Sequence, residues 1–130
     1  MYNKTTQNIT VTVEPVYLED QSAPREHQFF WAYHVCITNQ GDETVCLRSR
    51  YWKITDSNGI SQEIEGEGVI GEQPVLAPGK SFEYTSGAPL NTPSGIMVGA
   101  YQMESSDGAP FKVDIPAFSL DSPYQNSIIH

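Results

Sequence analysis

Apolar and polar residues alternate along this chain in short runs separated by turn residues, and no stretch of ten or more residues carries a 3.6-residue period. The pattern predicts an all-β fold. Ile9, Val11 and Val13 alternate with Thr10, Thr12 and Glu14 in a first strand over about 9–17, which Pro15 is expected to break. A polar loop, Glu19 to Gln28 with Pro24 in its middle, leads into Phe29 to Thr38, where the odd positions form the apolar set. Those side chains should face a core. Asn39 to Glu43 reads as a turn into Val45 to Asp56, which begins with odd positions inward (Val45, Leu47) and ends with even ones (Trp52, Ile54). Such a change of phase implies a β-bulge near Ser49 to Tyr51.

Ser57-Asn58-Gly59 reads as a hairpin turn, because Asn-Gly supplies the two positive-φ positions of a type I′ turn, and a strand over Ile60 to Gly68 follows. Gln73-Pro74 and Ala77-Pro78-Gly79-Lys80 bracket a short extended piece at Val75-Leu76. Further strands start at Phe82 and run over Ile96 to Glu104 and Phe111 to Leu120, with a frayed tail from Asp121 to His130. Seven or eight strands spaced in this way predict a sandwich of two antiparallel sheets. With no internal repeat and no linker, the 130 residues form one domain with a core over about 9–120.

Composition narrows the class of partner. Sixteen acidic side chains against seven basic ones give a net charge of −9, which repels nucleic-acid phosphates and anionic membranes. No apolar run approaches membrane-span length, and the start lacks the basic-then-apolar order of a secretory signal, so a cytoplasmic location is expected. Three of the seven basic residues, Arg48, Arg50 and Lys53, make one local cationic patch.

Gly66-Glu67-Gly68-Val69-Ile70-Gly71 has the G-x-G-x-x-G spacing of a dinucleotide site, but Pro74 and Pro78 follow too soon for the required helix. A two-residue loop at Asn58-Gly59 would set Tyr51 opposite Gly66 and Arg50 opposite Glu67: an aromatic over a bare strand glycine, beside a cross-strand ion pair. On that reading Gly66 and Gly68 both lie inside a strand ladder. The functional alternative is an anion pocket formed by backbone N–H groups of the glycine segment with Arg48 or Arg50.

His34 and Cys36 share one strand face, and a hairpin at Asn39 to Glu43 would set Cys36 across from Cys46. That gives three soft ligands without a fourth, so free thiols beside a surface histidine are expected, with no metal and no cofactor. Glu63, Glu65 and Glu67 form an acidic row about 7 Å apart along one strand face, suited to a solvated edge or a weak hard-cation site. His27 and His130 lie in loop and tail. No G-x-S-x-G or H-E-x-x-H is present, and Ser86 has no histidine placed by sequence to activate it.

An ordered series of short motifs adds to this reading. Val16-Tyr17 with Gln21-Ser22, Arg50-Tyr51-Trp52, Gly66-Glu67-Gly68-Val69 with Gly71, Gln73-Pro74, Pro78-Gly79, Tyr84-Thr85-Ser86-Gly87, Thr92-Pro93 and Gly108-Ala109-Pro110-Phe111 with Asp114-Ile115-Pro116 resembles the ApaG family from about Ile9 to Leu120, and again at Ile129-His130. The resemblance implies an immunoglobulin-like or fibronectin-type-III-like sandwich. It places Arg50, Tyr51, Trp52, Gly66, Glu67, Gly68 and Gly71 on the family motif, and leaves His34, Cys36 and Cys46 off it. It also implies associations with dinucleoside polyphosphate metabolism and with cobalt and magnesium tolerance, while related eukaryotic domains serve protein contacts. The leading expectation is a non-enzymatic protein-interaction module, a monomer or weak homodimer, with Arg48 added to the motif residues as the site. The alternative is a sensor of phosphate-containing ligands or divalent cations.

Overall fold

The period-2 alternation of the longest apolar run becomes strand β3, Phe29–Asn39, in which Phe29, Trp31, Tyr33, Val35 and Ile37 are buried and the residues between them half-buried. In the computed structural model, which describes residues 1–123, the other strands are β1 (Tyr2–Thr6), β2 (Ile9–Tyr17), β4 (Val45–Asp56), β5 (Ser61–Glu67), β6 (Val75–Leu76), β7 (Ser81–Leu90), β8 (Ser94–Ser105) and β9 (Pro110–Asp121). Two single 3-10 turns, Glu19–Gln21 and Pro24–Glu26, occupy the loop before β3. One sheet has the order β1-β2-β3-β7 and the other β5-β4-β8-β9, with β6 also on β4, and every pairing is antiparallel. The two-sheet, all-β sandwich expected from the strand pattern is the one that forms, with nine strands among the described residues. Residues 124–130, which hold most of the tail and His130, lie outside them.

The extra strand is β1, which the sequence hides because it is polar. Gln7 and Asn8 take the two positive-φ positions (47° and 67°) that a type I′ turn requires, pairing Thr6 with Ile9. Asn58-Gly59 does not do this. Only Gly59 is left-handed (φ 82°), because the Asp56 carboxylate accepts the N–H groups of Asn58 and Ile60 at 2.9 and 3.0 Å and draws the chain into a three-residue loop. The β4–β5 register therefore moves by one residue: Arg50 stands opposite Gly66 and Tyr51 opposite Glu65.

Three further expectations are corrected. Pro15 does not break β2, since β1 ends opposite Val13 and leaves β2 a sheet edge where proline is tolerated. The β4 bulge falls at Arg48, between Leu47 and Ser49 in the β8 pairing, one residue earlier than expected. Asn39 to Glu43 is a crossover between the sheets and not a hairpin. The buried Asn39 amide fixes it, donating to the Glu43 and Leu76 carbonyls at 2.7 and 2.9 Å while accepting the Gly41 N–H. Cys36 and Cys46 consequently lie in different sheets, and both are free.

Between the sheets, Trp52, Tyr33 and Phe118 meet edge-on or tilted with ring centres 5.3–6.1 Å apart, a geometry aromatic rings favour beyond simple burial. Trp52 has room because Gly99 is its β8 partner. A Cβ at Gly99 would stand 2.8 Å from the indole and 2.5 Å from the Tyr51 carbonyl oxygen. The pairing of an aromatic with a strand glycine expected at Tyr51 and Gly66 thus exists, but at Trp52 and Gly99. β1 and β2 of the first sheet pack on β9 of the second.

Candidate functional site

Alternation along β4 sends the residues of the expected site in opposite directions. Trp52 is in the core. Arg50, two residues earlier and paired with the buried Tyr101, points to the same inner side and is half-buried. Tyr51 points outward and donates its phenol to Glu63 at 3.1 Å. Arg48, in the bulge, is exposed and forms a 2.7 Å ion pair with Glu104. The expected Arg50–Glu67 ion pair is absent among the described residues, because the shifted register puts Glu67 opposite Ser49. Arg50 instead donates to the backbone carbonyls of Glu67 and Gly68, at 3.2 and 2.9 Å.

Each glycine of the segment has its own reason. The Arg50 guanidinium lies within about 3 Å of where a Gly66 Cβ would stand, so the cation and not an aromatic ring covers that glycine. Gly68 lies past the end of β5, with φ 61°, and a Cβ there would come within 2.1 Å of the Glu72 carbonyl oxygen. Its N–H is bonded to Arg48 C=O at 2.8 Å. Val69 and Glu72 then pair through two backbone bonds of 2.8 and 2.9 Å, which leaves Ile70 (φ 43°) and Gly71 (φ 79°) as the two turn residues. No helix follows, since Gln73-Pro74 runs into β6. The G-x-G-x-x-G spacing thus encodes a strand end and a tight hairpin.

Ile70 is the exception in that hairpin. A β-branched residue at positive φ is strained, and its side chain is 59% exposed while its neighbour Val69 is fully buried. Sequence reasoning missed it, because an isoleucine between valine and glycine looks like an ordinary strand residue. The Val69–Glu72 pairing is what forces the left-handed turn.

A groove of about 620 Å³ lies on the outer face of the five-stranded sheet, lined by Tyr51, Glu65, Glu67, Ala100, Gln102 and Lys112 among others. Desolvation at the sheet surface, then the hydrogen bond to Glu63 and the negative charges of Glu63 and Glu65, hold the Tyr51 phenol above its ordinary value. On the inner side Tyr84 and Tyr101 share a short hydroxyl–hydroxyl bond, and burial pushes both phenols well up. They are neutral hydrogen-bonding groups at neutral pH.

The register of β3 and β7 makes one further constellation that the sequence did not reveal. His34 Nδ1 is 2.9 Å from Thr85 Oγ1, and Nε2 is 3.0 Å from Glu83 Oε1. A hydroxyl, an imidazole and a carboxylate in a row have the order of a nucleophile relay. This row lies on exposed sheet surface, in the other sheet from the groove, with the His34 and Glu83 side chains 45% and 62% exposed. The expected His34, Cys36 and Cys46 triplet is dispersed, and no group of three or more metal-ligating side chains is assembled among the described residues. His27 is a left-handed residue closing the Pro24–Glu26 turn. No helix of the described residues is long and apolar enough to cross a membrane.

A family model described as the ApaG domain matches residues 19–105. The chain belongs to the ApaG family. The ApaG proteins of Parvibaculum lavamentivorans and Paramagnetospirillum magneticum are 59% and 60% identical to it over 130 and 125 residues, covering 100% and 96% of both chains respectively. A crystal structure of a Bordetella pertussis protein solved under the name ApaA has a TM-score of 0.87 at 49% identity, covering 88% of this chain and 94% of that one. Another solved chain, structural-genomics target SoR45, has a TM-score of 0.83 at 41% identity, covering 89% and 88%. The ApaG model begins after β2 and ends with β8, so the Gly66–Gly71 hairpin, the groove strands β4, β5 and β8, and the His34 row fall within it, while β9 and Lys112 fall outside.

Proposed function

We propose that this chain is a cytoplasmic, non-catalytic protein-interaction module whose contact point is the hairpin after β5. One observation carries the reading: Ile70 is held in a strained conformation with its apolar side chain in solvent. Asparagine or glycine would fit that turn with less strain, so the isoleucine conflicts with its local structure, and such conflicts gather at functional sites. The hairpin is braced from below by Arg50, by the Gly68 N–H and by the Gln73 amide on Arg48 C=O, so the side chain is presented on a rigid base.

The alternative, a binder of phosphate-containing ligands or divalent cations, has less support. Arg48 is engaged by Glu104 and Arg50 by two carbonyls, which leaves the glycine segment without an uncommitted guanidinium. Two experiments separate the readings. A photo-crosslinking residue at Glu72 is expected to give a discrete protein adduct in cells, lost in an Ile70→Asn background and absent with the crosslinker at Asn58. Thermal-shift measurements with pyrophosphate, nucleotides and dinucleoside polyphosphates, with and without Mg²⁺ or Co²⁺, are expected to be silent. A dose-dependent rise in midpoint, together with equal adducts at both crosslinker positions, contradicts the module reading.

A further inference from the structure

The outer side of β5 is an open sheet edge: β5 pairs with β4 and with no other described strand. Its hydrogen-bond phase is fixed at both ends, by Asp56 N–H to Ile60 C=O at 2.9 Å and Gly68 N–H to Arg48 C=O at 2.8 Å, in one unbroken register with the Arg50–Gly66 and Trp52–Ile64 pairs. Bonded and non-bonded pairs alternate in an antiparallel ladder, so Gln62, Ile64 and Gly66 turn their backbone groups toward β4. Ser61, Glu63 and Glu65 therefore turn theirs to the open edge. At Glu67 the carbonyl is already taken by Arg50.

Two side-chain chemistries flank this row of free backbone groups. On the outer face stand the carboxylates of Glu63, Glu65 and Glu67, none of which makes an ion pair among the described residues, with Tyr51 of the next strand beside them. On the inner face Ile64 is 43% exposed at the margin of the sandwich. We infer that the β5 edge takes an extended, antiparallel segment of a partner protein, with lysine or arginine at alternate positions and β-branched residues between them. Strand addition would set one side chain of that segment directly opposite each glutamate, at the same roughly 7 Å repeat, and the intervening residues beside Ile64. A basic head group opposite Glu65 would also lie next to the Tyr51 ring. A second copy of this chain is a poor occupant, because its own glutamates would meet like charges across the new ladder. The inference rests on the protein-interaction reading and assigns it a second contact.

The test is an NMR titration of the isotope-labelled protein with synthetic nonapeptides. One alternates lysine and valine, a second has the same composition in two blocks, and a third carries N-methyl groups on the alternate amides that would face β5. The alternating peptide is expected to shift the amides of Ser61, Glu63 and Glu65 and to bind about tenfold tighter than the block peptide. N-methylation should abolish binding, and Glu63→Gln with Glu65→Gln should weaken it about tenfold without lowering the thermal midpoint. Equal binding of the block peptide, shifts away from β5, no binding, or dimerisation of the free protein through this edge overturns the inference. Failure here with an intact Ile70-dependent adduct removes strand addition alone. Failure of the adduct with peptide binding intact removes the hairpin contact alone.

Discussion

Two residues on the same face of β4, two positions apart, each lie against a strand glycine, and the two sites use that device for different ends. Trp52 faces Gly99 on β8, inside the sandwich, where the freed volume is filled by the indole, Tyr33 and Phe118. Arg50 faces Gly66 on β5, at the margin, where the freed space takes a guanidinium that holds two carbonyls of the exposed hairpin. The first arrangement stabilises the fold by burying aromatic surface. The second positions a turn whose own geometry is unfavourable. A missing side chain thus makes room for packing on one edge of β4 and for presentation on the other.

Substitutions at Gly99 and in the hairpin that Arg50 braces should differ in which part of the fold they open. Gly99→Ala puts a methyl group against the Tyr51 carbonyl and the indole, and should lower stability by about 3 kcal/mol in equilibrium denaturation, as overpacking at a backbone contact does. At the hairpin, Gly68→Ala meets both a left-handed φ and the Glu72 carbonyl, and should cost about 2 kcal/mol. Amide exchange separates the two: the first variant should open the whole domain, and the second mainly residues 67–73. A global opening by both would erase the distinction.

How much of this was legible in the sequence depends on which distances set each feature. β3 and the start of β2 were readable because a period of two needs only the neighbouring residues. Register was not, because it hangs on one turn. The Asp56 carboxylate changed the loop at Asn58-Gly59, and that single residue moved Arg50 from Glu67 to Gly66 and Tyr51 from Gly66 to Glu65. The Cys36–Cys46 proximity failed for a related reason: Asn39 ties down a crossover where the spacing fitted a hairpin equally well. Of the expected site residues, Gly66, Gly68 and Gly71 do shape one hairpin, with Arg50 bracing it, while Trp52 is core and Tyr51 and Glu67 face the outer groove. Ile70 had no local signal, since its φ follows from the Val69–Glu72 pairing.

The interior can be probed without altering its volume. Tyr84 and Tyr101 have phenol values raised by burial, so the folded state holds those protons more tightly than the unfolded chain. Their contribution is fully present below pH 10, the ordinary phenol value, and is lost as the pH climbs above it toward the raised folded values. Stability should therefore decline above pH 10, and less steeply in Tyr84→Phe. The hairpin variants should leave that decline unchanged.

The smallest expected effect bears most directly on the central claim that Ile70 is kept against local stability for the sake of a contact. Denaturation of the Ile70→Asn variant should show a gain of about 0.5–1 kcal/mol, as left-handed strain on a branched residue is relieved. The same variant should lose the crosslinked adduct formed from Glu72. A loss of stability with the adduct intact would mean that Ile70 serves the fold and not a partner, and would contradict the account.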